Sequence, residues 1–383
     1  MNASTEVTPA RGDVAVIALI GFAHAVSHFF HLVIPLLFPW LMPAFGLSFT
    51  QAGALMTVFF AISGVGQALS GLVVDRIGAK PVLYCGVLLL ALSGVLLGVA
   101  QNYPMLMLAA AAAGAGNSVF HPVDFTILNR RVSKSRLGHA FSVHGLSGNL
   151  GWAAAPLLMT AVASFADWRS AAFVAAALAV ASLALIYFFQ AALDDLPELF
   201  GHGKDAAAGR PVSTLSILRS PAVLFSFVFF FLITGAFGAL QNFSPAALKE
   251  MYGLSLAVSA SCLSGYLLGG AGGIVVGGFL ANRRAQDQIL AVCLGFGMGI
   301  AGPSRDLLVR KAAMQGLNQA SFGRVYGFVY SGLDLGIATA PLIFGPIMDD
   351  GRFGALWVGI ALFQGLAVVS ALYVGRHVGA GQS

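Results

Sequence analysis

Apolar runs of about twenty residues follow one another along this chain, parted by short polar punctuation, and no other feature limits its folding so tightly. A helix needs about 20 such residues to cross about 30 Å of hydrocarbon. Runs near 14–42, 50–74, 82–100, 104–128, 138–165 and 170–192 meet that length, and a second set follows near 221–248, 256–281, 325–348 and 354–375. A shorter stretch, 288–304, is left over. Of the 383 residues 58% are hydrophobic and only 9% charged, whereas a soluble domain carries about 25% charged residues. The expected class is an all-α polytopic membrane protein with the lipid bilayer as its surroundings. Soluble, disordered and nucleic-acid-binding proteins are excluded. Cys85, Cys262 and Cys293 sit apart in apolar sequence without metal-binding spacing, so neither a disulfide scaffold nor a zinc module is expected. The first apolar run is too long and too rich in proline for a cleaved signal peptide.

Orientation follows from Lys and Arg, which concentrate in cytoplasmic loops. Alternate loops carry Arg76 and Lys80; Arg130, Arg131, Lys134 and Arg136; Lys204, Arg210 and Arg219; and Arg283 with Arg284. The opposite loops carry Arg169, Lys249 and Arg352. The first side is expected to be cytoplasmic, with both termini there, and the net charge of +5 is mostly this topology signal. Residues 1–193 form an expected N-terminal six-helix bundle, 194–220 a cytoplasmic linker and 221–383 a C-terminal bundle.

The second set of runs repeats the first. At a constant offset of 207, Gly46-Leu47-Ser48 matches Gly253-Leu254-Ser255 and Gly71 matches Gly278. At an offset of 185, Gly138 matches Gly323, Asn149 matches Asp334, and Ala155-Pro156 matches Ala340-Pro341. Two ordered blocks indicate duplicated halves, the organisation of many secondary transporters. The two offsets differ by 22 residues, so the second bundle is expected to be short by one to two spans, with the loss in the shortened region 285–305. That region is read as a broken or re-entrant segment or a deletion; an eleven-span chain with an inverted C-terminal hairpin is the alternative.

Gly71-Leu-Val-Val-Asp75-Arg76-Ile-Gly78-Ala-Lys80 fits the G-x3-D-R-x-G-x-[RK] loop between the second and third spans of the major facilitator superfamily, and the chain resembles that family along nearly its whole length. The resemblance implies two pseudo-symmetric helical bundles, no enzymatic activity and no cofactor, and a monomer. It also implies a cytoplasmic gate at Gly71, Asp75, Arg76, Gly78 and Lys80. Asn282 and Arg283 form a degenerate second copy with an amide where an acid stood, so that gate is expected to be weaker. Ser27-His28-Phe29 with Pro35 to Pro39, Asn117 to Pro122, and Gly145 to Pro156 resemble the fosmidomycin-resistance-like branch. That resemblance implies efflux of a drug or metabolite across the inner membrane by proton antiport.

Ionisable groups inside spans are costly, and each is a candidate for function. His24, His28 and His31 at i, i+4 and i+7 share a helix face and suit substrate or proton handling. Packing with hydrogen bonds to Ser27 is the structural alternative. A metal site is not expected, because Asp and Glu are missing from the stripe. His121 and Asp124, at i and i+3, are expected to pair as a proton relay. Asp334 falls near the middle of its span, with Asn149 as its repeat mate, and suits proton coupling or cation recognition. Gln67, His144, Gln241, Asn242 and Tyr330 are expected to line the cavity.

No P-loop, HExxH or GxSxG occurs in the chain. The reading is a secondary active transporter exchanging a small molecule for protons. A proton-driven importer and a transport-incompetent deletion descendant are the alternatives.

Overall fold

The computed structural model describes residues 9–133, 136–193, 221–281 and 322–379. These are helical throughout, without a strand. Helices α1 (Pro9–Leu36), α2 (Phe38–Phe45), α3 (Phe49–Ile77), α4 (Ala79–Gly98), α5 (Tyr103–Asn117), α6 (Phe120–Arg131), α7 (Leu137–Phe165) and α8 (Trp168–Phe188) make up the first part. Helices α9 (Pro221–Tyr252), α10 (Leu256–Ala281), α11 (Phe322–Asp349) and α12 (Phe353–Gly379) follow. The linker 194–220 and the shortened region 285–305 lie outside the described residues. Among the described residues eight helices are long and apolar enough to cross a bilayer, with α5 and α6 counting as one. Large apolar side chains stand exposed on their outer faces, such as Phe165 at 93% and Val358 at 70%, as lipid contact requires.

Two expected spans are interrupted. The first divides at Leu37 into α1 and α2, and the fourth divides after Asn117 into α5 and α6. In each case a proline stands just beyond the break, Pro39 in the first turn of α2 and Pro122 in the first turn of α6. Proline has no N–H to donate and its ring collides with the carbonyl four residues back, at residues 35 and 118 respectively. In bilayer such a break is tolerated where neighbouring helices cover it; here Asn117, Ser118, Val119 and Phe120 are buried.

The duplication reappears as geometry. Gly46 and Gly253 both take the left-handed conformation, at φ 62 and φ 65, and each is followed two residues on by a serine that caps the next helix. Ser48 Oγ accepts from Gln51 N at 3.2 Å and Ser255 Oγ from Val258 N at 3.3 Å. The halves meet along two seams, α3 against α11 and α7 against α10. Across the first, Thr57 Oγ1 donates to Ala338 O at 2.8 Å; across the second, Ser264 Oγ donates to Ala153 O at 2.9 Å. Position 57 maps to 264 by the 207 offset and 153 to 338 by the 185 offset, so the two bonds are the same bond in each repeat.

At one end of the molecule the halves close on each other. Asp349, the last residue of α11, accepts from Phe49 N through Oδ1. Through Oδ2 it accepts from Thr50 N at 3.0 Å and Thr50 Oγ1 at 2.6 Å. This carboxylate lies on the N-terminus of α3, where the helix leaves N–H groups unpaired. Phe38, Phe49, Phe243 and Phe353 pack around the same end, with ring centroids 6.2 to 6.4 Å apart. Arg76, Gly78 and Lys80 stand at the opposite end, where Gly78 at φ 87 ends α3 and opens α4.

Candidate functional site

His24, His28 and His31 lie along the buried face of α1, at 2%, 8% and 6% exposure. Helix α7 lies across them because glycines let it approach. A Cβ on Gly151 would run into the carbonyl of Ala25, and one on Gly148 would come within 2.5 Å of His28 Nδ1 and 2.8 Å of His24 Cε1. The imidazoles occupy the space a side chain at 148 would need. His24 stacks on His144 at 3.6 Å between centroids, and His28 stacks on Trp152 at 4.3 Å.

Hydrogen bonds assign the ring protons. His24 Nδ1 donates to the carbonyl of His144 at 2.9 Å. Trp152 Nε1, which can only donate, gives its proton to His31 Nδ1 at 3.1 Å. His31 Nε2 therefore carries that ring's proton and donates to Asn117 Oδ1 at 2.9 Å. Asn117 also accepts from Ser27 Oγ at 2.7 Å and donates to Ser63 Oγ at 2.9 Å, tying α1, α3 and α5 together.

The expected pairing of His121 with Asp124 is not what forms. Helix α6 is wedged among α1, α3 and α7, so side chains about 60° apart around it meet different neighbours. Asp124 turns to α7 and accepts from His144 Nε2 at 2.9 Å, fully buried. His121 turns to α3 and donates from Nδ1 to Gln67 Oε1 at 3.1 Å. Gln67 then donates from Nε2 to Asp334 Oδ2 at 2.9 Å. Three residues thus join α6, α3 and α11, and the last step crosses from the first half of the chain to the second. Asp334 fits there because Gly64 leaves room, a Cβ at 64 coming within 3.1 Å of the Asp334 Cβ.

The repeat mate of this contact is apolar on one side. Asn149, which maps to Asp334, donates to Gly145 O of its own helix at 3.0 Å, with Gly270 beside it, and Ile274 holds the position that maps to Gln67.

Gln241 and Asn242 lie buried on α9. Asn242 lines a small cavity with Thr160, Pro35 and Pro39, near the break between α1 and α2. The Gln241 and Asn242 amide nitrogens, and the Thr160 hydroxyl, have no hydrogen-bond partner. In the histidine group His24 Nε2, His28 Nδ1 and Asp124 Oδ1 are likewise buried without a partner. Each such atom costs about 1–3 kcal/mol, a concentration of cost that marks the cluster as a place built for something other than stability. Asn282 and Arg283, and the side chains of Asp75 and Tyr330, lie outside the described residues; Gly71 and Asp75 fall within α3.

Two contributors have no counterpart among the expected residues. Trp152 orients His28 and His31, and it stands four residues after Gly148, one helical turn along the same face; that spacing was its available signal. Asp349 has none, since its partners are 300 and 299 residues away.

A family model for the Major Facilitator Superfamily matches residues 17–304. The chain belongs to that superfamily. It is 27% identical over 296 residues to the fosmidomycin resistance protein of Escherichia coli K12, covering 76% of this chain and 70% of the relative. A probable nitrate/nitrite transporter, NarK2 of Mycobacterium tuberculosis, is 27% identical over 375 residues, with 86% and 88% covered. Among solved structures, a bacterial homologue of the human lysosomal transporter Spinster superposes with a TM-score of 0.67 at 13% identity, over 95% of each chain. This superfamily member is therefore a multi-pass membrane protein of a transporter family with the major facilitator fold.

Proposed function

We propose that this protein carries a small organic molecule, a drug or metabolite, out of the cell across the inner membrane in exchange for protons, as a monomer with both termini in the cytoplasm. The observation that supports this reading is the bridge from His121 through Gln67 to Asp334, since it runs from one half of the chain to the other. Bundle 1–193 rocks against bundle 221–383 about the two seams, with 194–220 as the cytoplasmic linker.

An ionised Asp334 holds Gln67 through a charge-assisted hydrogen bond, about twice as strong as a neutral one. A proton on Asp334 removes that charge, and α3 and α11 are freed to part; loss of the proton on the other side restores the bridge. Asp124 is a second proton carrier, held against His144 one imidazole stack from His24. His24, His28 and His31 face the substrate, with Asn149, Gln241, Asn242 and Tyr330 contributing amide and hydroxyl groups as the halves move. Gly71, Asp75, Arg76, Gly78 and Lys80 set the cytoplasmic gate, and Asn282 with Arg283 form its weaker mate.

The test is transport in proteoliposomes with an imposed pH gradient, screening small organic molecules with fosmidomycin first, since a relative is named for resistance to it. The expected result is accumulation driven by the gradient that Asp334→Asn abolishes while substrate binding persists. Gradient-driven accumulation unchanged in Asp334→Asn removes the coupling assignment.

A further inference from the structure

Two of the three unpartnered atoms of the histidine group are fixed as acceptors. His24 Nδ1 is occupied in donating to the carbonyl of His144, so in the neutral ring Nε2 presents a lone pair, and that nitrogen is buried with nothing bonded to it. His121 Nδ1 is occupied in donating to Gln67, so its Nε2 presents a lone pair too. Asp124 Oδ1 is an acceptor by nature, buried and unpartnered. His28 Nδ1 is also unpartnered, and Gly148 leaves its ring open beside that of His24. Acceptors gathered around a histidine whose ring proton no hydrogen bond fixes suit a cation. An anionic ligand would need N–H groups directed at it, and His24 directs its N–H to a backbone carbonyl.

We infer that His24, His28 and His121 form a binding site for a divalent first-row transition-metal ion of the Zn2+ class, with Asp124 supplying negative charge from the adjoining group. The three residues each offer a ring nitrogen within 4.8 Å of the other two, and His24, Asp124 and His144 meet the same limit. Zn–N bonds of about 2.0–2.1 Å put tetrahedral nitrogens about 3.3 Å apart, so side-chain rotations closing at most about 1.5 Å complete the site. Imidazole ligands select Zn2+, Co2+, Ni2+ and Cu2+ over Mg2+ and Ca2+. The outer bonds are those a metal-bound histidine keeps: a carbonyl behind His24 and a carboxamide behind His121, each fixing the tautomer that leaves the ligating nitrogen free. The α1 stripe by itself lacks an acid. The fold brings Asp124 to it from α6, which is why the stripe's spacing alone did not point to a metal.

The inference stands apart from the transport reading, because its test needs neither substrate nor gradient. The full chain, purified without a polyhistidine tag and stripped of metal, is titrated in detergent with Co2+ and Zn2+. One saturable ion per chain is expected, with the visible absorption of four-coordinate Co2+. His24→Gln and His28→Gln are each expected to weaken binding by about tenfold or more, since even outer partners of metal ligands are worth about that much. His139→Ala, on an exposed position of α7, is expected to bind as the unaltered protein does. Absence of saturable binding, or equal affinity in folded His24→Gln and His28→Gln, overturns the site. Should those variants not fold, X-ray absorption at the zinc edge of the unaltered protein decides: a shell of imidazole nitrogens supports the site, and a shell without them overturns it.

Discussion

Gln67 holds Asp334 across the α3–α11 seam at 2.9 Å and turns the other end of its carboxamide to His121 at 3.1 Å. The symmetry-related α7–α10 seam has Ile274 and Asn149 in the corresponding places. The two seams share the Thr57 and Ser264 hydroxyl bonds, and among the described residues the ionisable contact is at α3–α11. Under the proposed function, a rocking motion about these seams is expected to respond to charge at α3–α11.

Replacing Gln67 by leucine keeps bulk at the seam and removes both bonds. Loss of a hydrogen bond to a charged group is worth about 1.5–3 kcal/mol, so gradient-driven transport is expected to fall by about tenfold to a hundredfold. The check is initial rates in proteoliposomes with and without a pH difference. A rate that falls equally in both conditions would assign Gln67 to packing.

Gly148→Ala would place a methyl 2.5 Å from His28 Nδ1 and 2.8 Å from His24 Cε1. Overpacking of this kind costs about 1–3 kcal/mol. A lowered melting temperature in detergent is expected, together with a changed fluorescence of Trp152, which stacks on His28. Gly145→Ala is the control, for nothing lies within 4 Å of a Cβ there.

Trp152→Phe keeps an aromatic face for His28 and removes the donor to His31 Nδ1. His31 is then released from its single tautomer. Nitrogen NMR of labelled histidine should show mixed Nδ1–H and Nε2–H forms at His31 in the variant and Nε2–H alone in the parent. The lost bond is worth about 1 kcal/mol.

Asp349 stands at the aqueous end of α11. Burial works to raise its carboxyl, but hydrogen bonds from the Thr50 side chain and the Thr50 and Phe49 backbone outweigh that and hold it below its ordinary value. The closed end thus binds fewer protons than the open one. Closure is fully supported above the ordinary carboxylate value of about 3.9 and is lost as pH falls through the lower value of the closed state. Spin labels on exposed Ala44 and Arg352, in a cysteine-free background, are expected to move apart on acidification. In Asp349→Asn the separation should already be wider at neutral pH and insensitive to acid.

Thr57→Ala and Ser264→Ala each remove one copy of the same bond. Each is expected to lower stability by about 1 kcal/mol, and the pair should add, since they lie on different seams. Denaturation in mixed detergent of both single variants and the double variant measures this.

The linear chain carried the class, the helices and the repeat. Hydrocarbon demands long apolar runs, and a helix satisfies its own backbone within one run, so span positions are local properties; the observed helices follow the runs except where Pro39 and Pro122 interrupt them. Duplication also leaves its mark in the sequence. The 207 offset pairs the glycine turns at 46 and 253, and the seam bonds of Thr57 and Ser264, seen only in the fold, fall at positions that the two offsets relate. Side-chain partnerships in the buried centre were not legible in this way. Asp124 stands three residues from His121 yet bonds His144, 20 residues on; Gln67 reaches 267 residues to Asp334. Adjacent positions on one helix point to different neighbours, and which neighbour arrives is set by how closely backbones approach at Gly64, Gly148 and Gly151. The histidine stripe was visible as a stripe, but its acid, its stacked indole and the direction of each ring proton belong to the packing of α6 and α7 against α1.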